Sequence, residues 1–171
     1  LRSLARRLLA GPASLATLRE DLATWQDFLY REYFMPRGEV LAAHFEAYVE
    51  HFEECGWLRV VDAAFVATPE GEVSLESLAS QTRGILEVYQ TLFEVFSGSE
   101  TDWKRREVQK RAKANYERAE LLGEVRGGEA LNDTTLSNAI DLLLRLDVIE
   151  EDREAKPNPR DPSYVRGEAH A

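Results

Sequence analysis

The chain has 171 residues, enough to bury a hydrophobic core as one domain or as two small ones. It is 44% hydrophobic with a formal net charge of −10, which indicates a globular fold and argues against nucleic-acid binding over the whole surface. Its single cysteine, Cys55, excludes an internal disulfide, and no run approaches the ~20 apolar residues of a transmembrane helix. No secretory signal is visible, and because the chain begins at Leu1 we expect it to be an excerpt of a longer protein.

The N-terminal segment, residues 1–12, combines leucines with arginines at helical spacing and is broken by Gly11-Pro12. Such a segment could touch an anionic membrane as an amphipathic helix, or it could be the end of a linker that packs on its own domain. The break at Gly11-Pro12 favours the second interpretation. We therefore expect a linker over residues 1–12.

The next two helices are predicted from their caps and their apolar spacing. Ser14 is placed to cap the first, and Met35-Pro36 ends it, because proline disfavours helix in the residue before it. The second runs from about Glu39 to Cys55 and ends at Gly56. Its inner face is predicted to contain Leu41, Phe45, Tyr48 and Phe52.

A change to short β-rich runs predicts a hairpin formed by residues 57–61 and 65–68, followed by a turn at Pro69-Glu70-Gly71. The segment from Leu75 to Phe96 then has apolar residues every three or four positions, with Ser74 placed as its cap. At about 1.5 Å per residue this helix is roughly 33 Å long. We expect it to join the two halves of the chain.

The second half, residues 99–171, is predicted to repeat this order. One helix is expected over residues 101–122 and another from Asn132 or Asp133 through Leu146. Val148-Ile149 can then pair with Tyr164-Val165 across a proline-rich loop, before a tail prone to disorder. The predicted fold class is mostly α, with two winged-helix-like units, residues 13–98 and 99–171. Each unit has helices and a small β-hairpin wing, and the long central helix joins them.

The predicted recognition helices are acidic, which argues against DNA binding. A recognition helix has to bring positive charge to the phosphate backbone. The helix from Glu39 to Cys55 contains five glutamates and neither lysine nor arginine, and the helix of the second unit sets Asp133, Asp141 and Asp147 against Arg145. A winged helix without basic residues is more typical of a module that packs on protein, and we expect no nucleic-acid partner.

His44, His51 and Cys55 share one helix at i, i+7 and i+11, and the i+4 spacing of the last pair is one that can share a metal ion. No second cluster of ligands accompanies them, and Cys55 falls on the apolar stripe of its helix. We therefore predict no metal site and expect these residues to lie at the rim of an apolar face.

One stretch of this acidic chain is basic, and it consists of Lys104, Arg105, Arg106, Lys110, Arg111, Lys113 and Arg118. Its side chains could bind phosphates of lipid head groups or of a phosphorylated cofactor, or they could pair with neighbouring acids such as Glu107 and Glu117. Ion pairing is the favoured interpretation. The chain contains no Gly-x-Ser-x-Gly motif and no glycine-rich phosphate loop. We predict no catalytic residue and no cofactor, so that the chain alone is not a complete enzyme.

Three groups of residues resemble the C-terminal region of the glycerol-3-phosphate acyltransferases of the bacterial membrane-bound and animal mitochondrial type. They are Phe28 to Pro36 (FLYREYFMP), Thr82 to Gln90 (TRGILEVYQ), and the set Ala130-Leu131, Ser137-Asn138-Ala139 and Leu146 to Glu151 (LDVIEE). The resemblance extends roughly from residue 22 to residue 152. The family commonly has a glycine at the position of Asp147.

The resemblance implies a parent enzyme that transfers an acyl group from a thioester to glycerol 3-phosphate, the first committed acylation of phospholipid synthesis. The family's catalytic motif, a histidine followed five residues later by an aspartate, belongs to a separate N-terminal domain. Val49 and Gly56 stand at the fifth position after His44 and His51, so no catalytic residue carries over. The motif that binds glycerol phosphate in the family has only a partial match here, in residues 68–71. A turn after the hairpin explains these residues better.

We therefore expect a non-catalytic C-terminal domain that packs on the acyltransferase domain of the same parent protein. The resemblance places it in the cytoplasm, peripheral to the membrane through the parent. The apolar rim of the first helices and the basic helix, residues 104–118, are the expected contact surfaces, the basic helix being also a candidate for contact with the membrane surface. The alternative is a tandem winged-helix interaction module that binds another protein or, as a weaker possibility, nucleic acid.

Overall fold

A computed structural model describes residues 2–33, 39–98, 102–125, 128–152, 158 and 160–167 of the chain. The described part is mostly helical, with six α-helices and two small antiparallel sheets, as the sequence predicts. The chain divides into two compact units, unit 1 (Leu1–Thr82) and unit 2 (Arg83–Ala171). This division lies inside the long helix, and the domain boundaries proposed from the sequence stay predictions. None of the described helices combines the length and apolar character that crossing a bilayer requires.

Unit 1 contains three helices, a hairpin and the first part of a fourth helix. They are α1 (Arg2–Leu9), α2 (Leu15–Tyr33), α3 (Glu39–Glu54), β1 (Leu58–Val61), β2 (Ala64–Ala67) and α4 (Pro69–Phe96). Ser14 caps α2 as predicted, because its hydroxyl oxygen accepts the backbone N–H of Thr17 at 3.1 Å. The predicted stop at Met35-Pro36 lies outside the described residues.

The β1–β2 hairpin has a two-residue turn, since Val61 is opposite Ala64. Both turn residues, Asp62 and Ala63, have positive φ, as a type I′ turn requires. Ala13 forms an isolated bridge with Phe65, so β2 lies between Ala13 and β1. β1 is therefore the outer strand, and its Val60 and Val61 are 51% and 40% exposed.

The core of unit 1 includes residues from every helix of the unit. The segment treated as a linker in the sequence contributes Leu4, Ala5 and Leu8 from α1, all buried. The inner face of α3 contains Val49, which is 2% exposed, whereas the predicted Tyr48 is 40% exposed, so that part of the prediction is wrong. The predicted Leu41 side chain lies outside what the structure describes.

The long helix α4 begins six residues before its predicted start and ends at the predicted Phe96. The cap is Thr68 rather than Ser74, because the Thr68 hydroxyl oxygen accepts the N–H of Gly71 at 3.0 Å. Pro69, predicted to lie in a turn, takes the first helical position, where its missing N–H costs nothing.

Unit 2 contains the second part of α4, three strands and two further helices. They are β3 (Asp102–Lys104), α5 (Arg105–Leu121), α6 (Asp133–Arg145), β4 (Ile149–Glu151) and β5 (Ser163–Arg166), with a short 3-10 helix (Gly128–Ala130) before α6. Asn132 caps α6 as predicted, its side-chain oxygen accepting the N–H of Thr135 at 2.9 Å. The tail predicted to be prone to disorder lies outside the described residues.

The sheet of unit 2 has the order β3–β5–β4 and is antiparallel throughout. The predicted pairing of the β4 and β5 segments is confirmed in kind, with Ile149 opposite Arg166 and Glu150 opposite Val165. β3 was predicted to be the first turn of α5, and this is wrong. Its Trp103 is opposite Tyr164, and only Trp103 of the three β3 residues is buried, which is the alternation of a half-buried strand.

The two units repeat one order of elements, as the sequence predicts for the second half. In each, a helix is followed by a strand or single bridge, then two helices and an antiparallel hairpin. In each, the segment after the first helix pairs with the second strand of the hairpin. Ala13 opposite Phe65 in unit 1 is therefore equivalent to Trp103 opposite Tyr164 in unit 2.

Backbone hydrogen bonds align the units residue by residue. The N–H of Thr68 donates to the carbonyl of Trp57 at 2.9 Å, and the N–H of Gly167 to that of Val148 at 3.0 Å. Ala67 of β2 is thus equivalent to Arg166 of β5. The buried positions agree with this alignment: Leu18, Phe45, Val49, Phe52 and Leu58 correspond to Val108, Leu136, Ile140, Leu143 and Ile149, and all of them are buried.

Candidate functional site

The residues weighed as metal ligands lie on the solvent side of α3. His44, His51 and Cys55 are all exposed, and the Cys55 sulfur is 3.6 Å from Nε2 of His51. The predicted place of Cys55 on the apolar stripe is wrong, because α3 ends at Glu54 and the chain turns away at Gly56. Within the described residues no group of three histidine, cysteine or acidic side chains is placed to hold a metal ion.

The basic stretch lies on β3 and α5, where several of its members have acidic or polar partners. Arg111 pairs with Glu107 at 2.8 Å, as predicted, and Lys113 pairs with Asp133 of α6 at 2.7 Å. Arg106 contributes its backbone N–H to the Asp161 carboxylate at 2.9 Å. These pairs are solvent-exposed, so each contributes little to stability, on the order of 0–1 kcal/mol.

Arg105 differs from the rest of the basic stretch because it contacts the core of unit 2. Its guanidinium donates to the hydroxyl of Tyr164 at 3.3 Å. Burial raises the pKa of Tyr164 above its ordinary value of 10.0, and the neighbouring Arg105 opposes that rise. Sequence reasoning missed this pair, because the two residues are 59 positions apart and meet only through the β3–β5 pairing.

The glutamates of α3 whose side chains the structure describes lie on its exposed side. Glu50, Glu53 and Glu54 are exposed, and Glu46 pairs with Arg19 of α2. In unit 2 the acidic residue at the start of α6, Asp133, is engaged by Lys113. The exposed face of α3 therefore offers negative charge, which repels a phosphate backbone.

Unit 2 contains an apolar cavity of about 280 Å³ that the sequence did not reveal. It is lined by Phe93, Phe96, Ser97, Trp103, Leu143, Leu146, Val148, Ile149 and Arg166. Leu146, at the end of α6, is 50% exposed. The only charged group among these residues is Arg166, whose guanidinium donates to the carbonyl of Gly98 at 2.5 Å. This cavity is a candidate binding surface for an apolar group that has an acidic neighbour.

Unit 1 contains a cavity of about 320 Å³ at the equivalent side of its sheet. It is lined by Leu8, Leu9, Gly11, Pro12, Val66, Ala67, Glu72 and Glu76. The last two residues belong to α4, which covers this side of unit 1. Among the described residues, a helix that follows the hairpin borders the cavity of unit 1 but not that of unit 2, and the charge at the rim is negative in unit 1 and positive in unit 2.

The segments that resemble the acyltransferase family have structural roles in α4 and around α6. Thr82 is 1% exposed, and its hydroxyl donates to the carbonyl of Ala79 at 2.9 Å. Val88 and Tyr89 of the same segment are buried in unit 2. Asp147 has a φ of 53°, in the left-handed region that favours glycine.

These observations define a mostly helical domain of two similar units with exposed acidic and apolar surfaces. A family model described as the glycerol-3-phosphate acyltransferase C-terminal region matches residues 3–152. The chain belongs to this family, and the resemblance noted in the sequence is confirmed. No curated protein and no solved structure matches the chain significantly.

Proposed function

We propose that this chain is the non-catalytic C-terminal domain of a glycerol-3-phosphate 1-O-acyltransferase of phospholipid biosynthesis. It packs on the acyltransferase domain of the parent protein and supports that domain's active conformation. Through the parent it lies at the cytoplasmic side of the membrane as a peripheral domain. The observation that carries this proposal is the family match over residues 3–152, in which the fifth residues after His44 and His51 are Val49 and Gly56 and not aspartate.

We infer further that each unit is a winged helix. The supporting observation is the order helix, strand or single bridge, helix, helix, hairpin, in which that strand or bridge pairs with the last strand. By that assignment α3 and α6 occupy the place of a recognition helix. The exposed glutamates of α3 make a protein surface its natural partner rather than a nucleic acid.

The proposal is tested by comparing the parent enzyme with and without this domain. We expect the isolated chain to transfer no acyl group to glycerol 3-phosphate. We expect a parent that lacks the domain to lose at least tenfold in activity or to precipitate, because its supporting contacts are gone. Acyl transfer by the isolated chain, or full activity of the shortened parent, would contradict the proposal.

An electrophoretic mobility-shift assay at low salt tests the alternative that the chain is a tandem winged-helix module that binds nucleic acid. A nucleic-acid binder would retard a DNA duplex or single-stranded RNA, and the shift would fade steeply as salt rises. We expect no retardation by the 171-residue chain at about 50 mM salt, where phosphate contacts are strongest. A salt-sensitive shift would favour the nucleic-acid alternative.

A further inference from the structure

The equivalent sides of the two units are covered differently. In unit 1 the chain leaves β2 at Thr68 and enters α4, which lies over the core. Leu75 of α4 is 0% exposed and belongs to the same core cluster as Leu8 and Leu58. Leu78 and Ala79 pack against that cluster one turn later. One apolar face of a helix, at i, i+3 and i+4, thus packs on this side of unit 1, next to the 320 Å³ cavity.

In unit 2 the equivalent side is open in the described part of the chain. Phe96 is in the last turn of the unit's first helix, as Leu8 is in unit 1, and Ile149 is equivalent to Leu58. Both residues line the 280 Å³ cavity described above. β5 is the last described element, and among the described elements none follows it as α4 follows β2. Phe96 and Ile149 are 6% and 1% exposed and line the buried part of this cavity, whereas Leu146 at its edge is 50% exposed. No described element packs over this edge.

The charge at the rim of this surface also differs between unit 1 and unit 2. In unit 1 the covering helix contributes Glu72 and Glu76 to the cavity that Ala67 lines. Unit 2 has Arg166 at the position of Ala67, exposed and at the edge of its cavity. A helix that covered unit 2 as α4 covers unit 1 would bring carboxylates at these two positions next to the Arg166 guanidinium.

We propose that the unit-2 groove, formed by Phe96, Trp103, Leu146, Val148 and Arg166, binds an amphipathic α-helix of the parent's acyltransferase domain. The helix inserts a large aliphatic side chain at the place that Leu75 fills in unit 1, and it sets a carboxylate beside Arg166. The assignment of the helix to the acyltransferase domain rests on the proposed function. The groove itself rests only on the comparison of the two repeated units.

The groove itself is tested with a probe helix that needs no acyltransferase. A fluorescently labelled, side-chain-stapled peptide with the sequence of residues 69–82 reproduces the helix that covers unit 1. We expect saturable binding to the 171-residue chain by fluorescence anisotropy. Leu75→Asp in the peptide, or Leu146→Asp in the chain, should weaken binding at least tenfold, because either places a carboxylate in an apolar contact.

Leu121→Asp in the chain is the matched control. Leu121 is 89% exposed, lies in the same unit and is absent from the lining of the cavity. Both variants change an exposed leucine, so both are expected to fold, which circular dichroism checks. Failure of the wild-type chain to bind the peptide, or equal binding by the Leu146→Asp and wild-type chains, would overturn the groove.

The source of the helix is tested in the full-length parent by amide hydrogen exchange. We expect the amides of residues 146–149 to exchange at least tenfold more slowly in the parent than in the isolated chain, and Leu146→Asp to remove the difference. Equal exchange in both proteins, or a concentration-dependent dimer of the isolated chain that Leu146→Asp abolishes, would overturn the assignment. A parent that needs this domain yet tolerates Leu146→Asp would leave the proposed function standing and the groove refuted.

Discussion

Among single residues, Asp147 in the turn after α6 has a left-handed backbone conformation that the amino-acid composition does not reveal. The N–H of Asp147 donates to the carbonyl of Leu144 at 3.3 Å, and the N–H of Val148 donates to that of Leu143 at 3.0 Å. These two bonds form a Schellman motif, in which the residue after the helix takes a left-handed conformation. Gly56 and Gly123 fill that place after α3 and α5, with φ of 72° and 74°. Asp147 fills it with a side chain.

We predict that Asp147→Gly stabilises unit 2. A left-handed conformation costs an L-residue about 1–2 kcal/mol, and the greater flexibility of glycine in the unfolded chain offsets part of the gain. The free energy of unfolding should rise by about 0.5–1 kcal/mol, measured by urea denaturation followed by circular dichroism. Ala114→Gly, on the exposed side of α5, is the control and should cost about 1 kcal/mol. A loss of stability in Asp147→Gly would contradict the prediction.

Tyr164 gives unit 2 a dependence on alkaline pH. Its folded-state pKa is raised above 10.0, first by burial and also by Glu151 and Asp141, so folding favours the neutral phenol. The stability from this group is complete below the unfolded pKa and is lost as pH rises through the folded pKa. We expect the melting temperature to fall above pH 10, and Tyr164→Phe to reduce that fall. Tyr48→Phe, at an exposed position, should leave the pH profile unchanged.

At the scale of elements, the start of α4 depends on one threonine. The Thr68 hydroxyl donates to the carbonyl of Gly56 at 2.7 Å and accepts from the N–H of Gly71. It therefore joins the end of α3 to the start of α4 in unit 1. Valine has the same shape as threonine but makes neither hydrogen bond.

Thr68→Val is expected to lower the free energy of unfolding of unit 1 by about 1–2 kcal/mol, since a helix cap is lost. Ser74→Ala tests the competing prediction from the sequence. Ser74 lies inside α4 by the structure, so its replacement should change stability by less than about 0.5 kcal/mol. A larger effect at Ser74 than at Thr68, in thermal denaturation of the two variants, would restore Ser74 as the cap.

The elements that the sequence predicted best are those whose signals are local. The N-caps Ser14 and Asn132 mark the starts of α2 and α6, and Gly56 marks the end of α3. Each of these residues lies within a few positions of the helix end that it predicts. β3 was missed because a three-residue strand has no periodicity of its own. Its partner, Tyr164, is 61 positions away from Trp103, and a pairing over that separation leaves no local pattern.

At the scale of the whole molecule, the repeated order of elements was predictable, but the surfaces that follow from it were not. The sequence predicted a second half with the same order of elements as the first. It also predicted that the helix at the recognition position of each unit is acidic and not basic. His51 and Cys55 were considered as metal ligands from their spacing, and the structure leaves His51 exposed on α3 and Cys55 exposed in the turn after it. The groove in unit 2 could not be predicted because its walls come from α4, β3, α6 and β5. Only the alignment of the two units shows that no described element packs over it as α4 packs over unit 1.

The outer strand β1 has a practical consequence for handling this domain. Its open hydrogen-bonding edge exposes Val60 and Val61, whereas the equivalent edge of unit 2, β4, exposes Glu150 and Glu151. An apolar strand edge is a template for aggregation, and charge on the edge protects against it. We expect Val60→Lys to slow the growth of light scattering in concentrated samples, and Glu151→Val to accelerate it. Identical scattering curves for the three proteins would contradict a role of the β1 edge in aggregation.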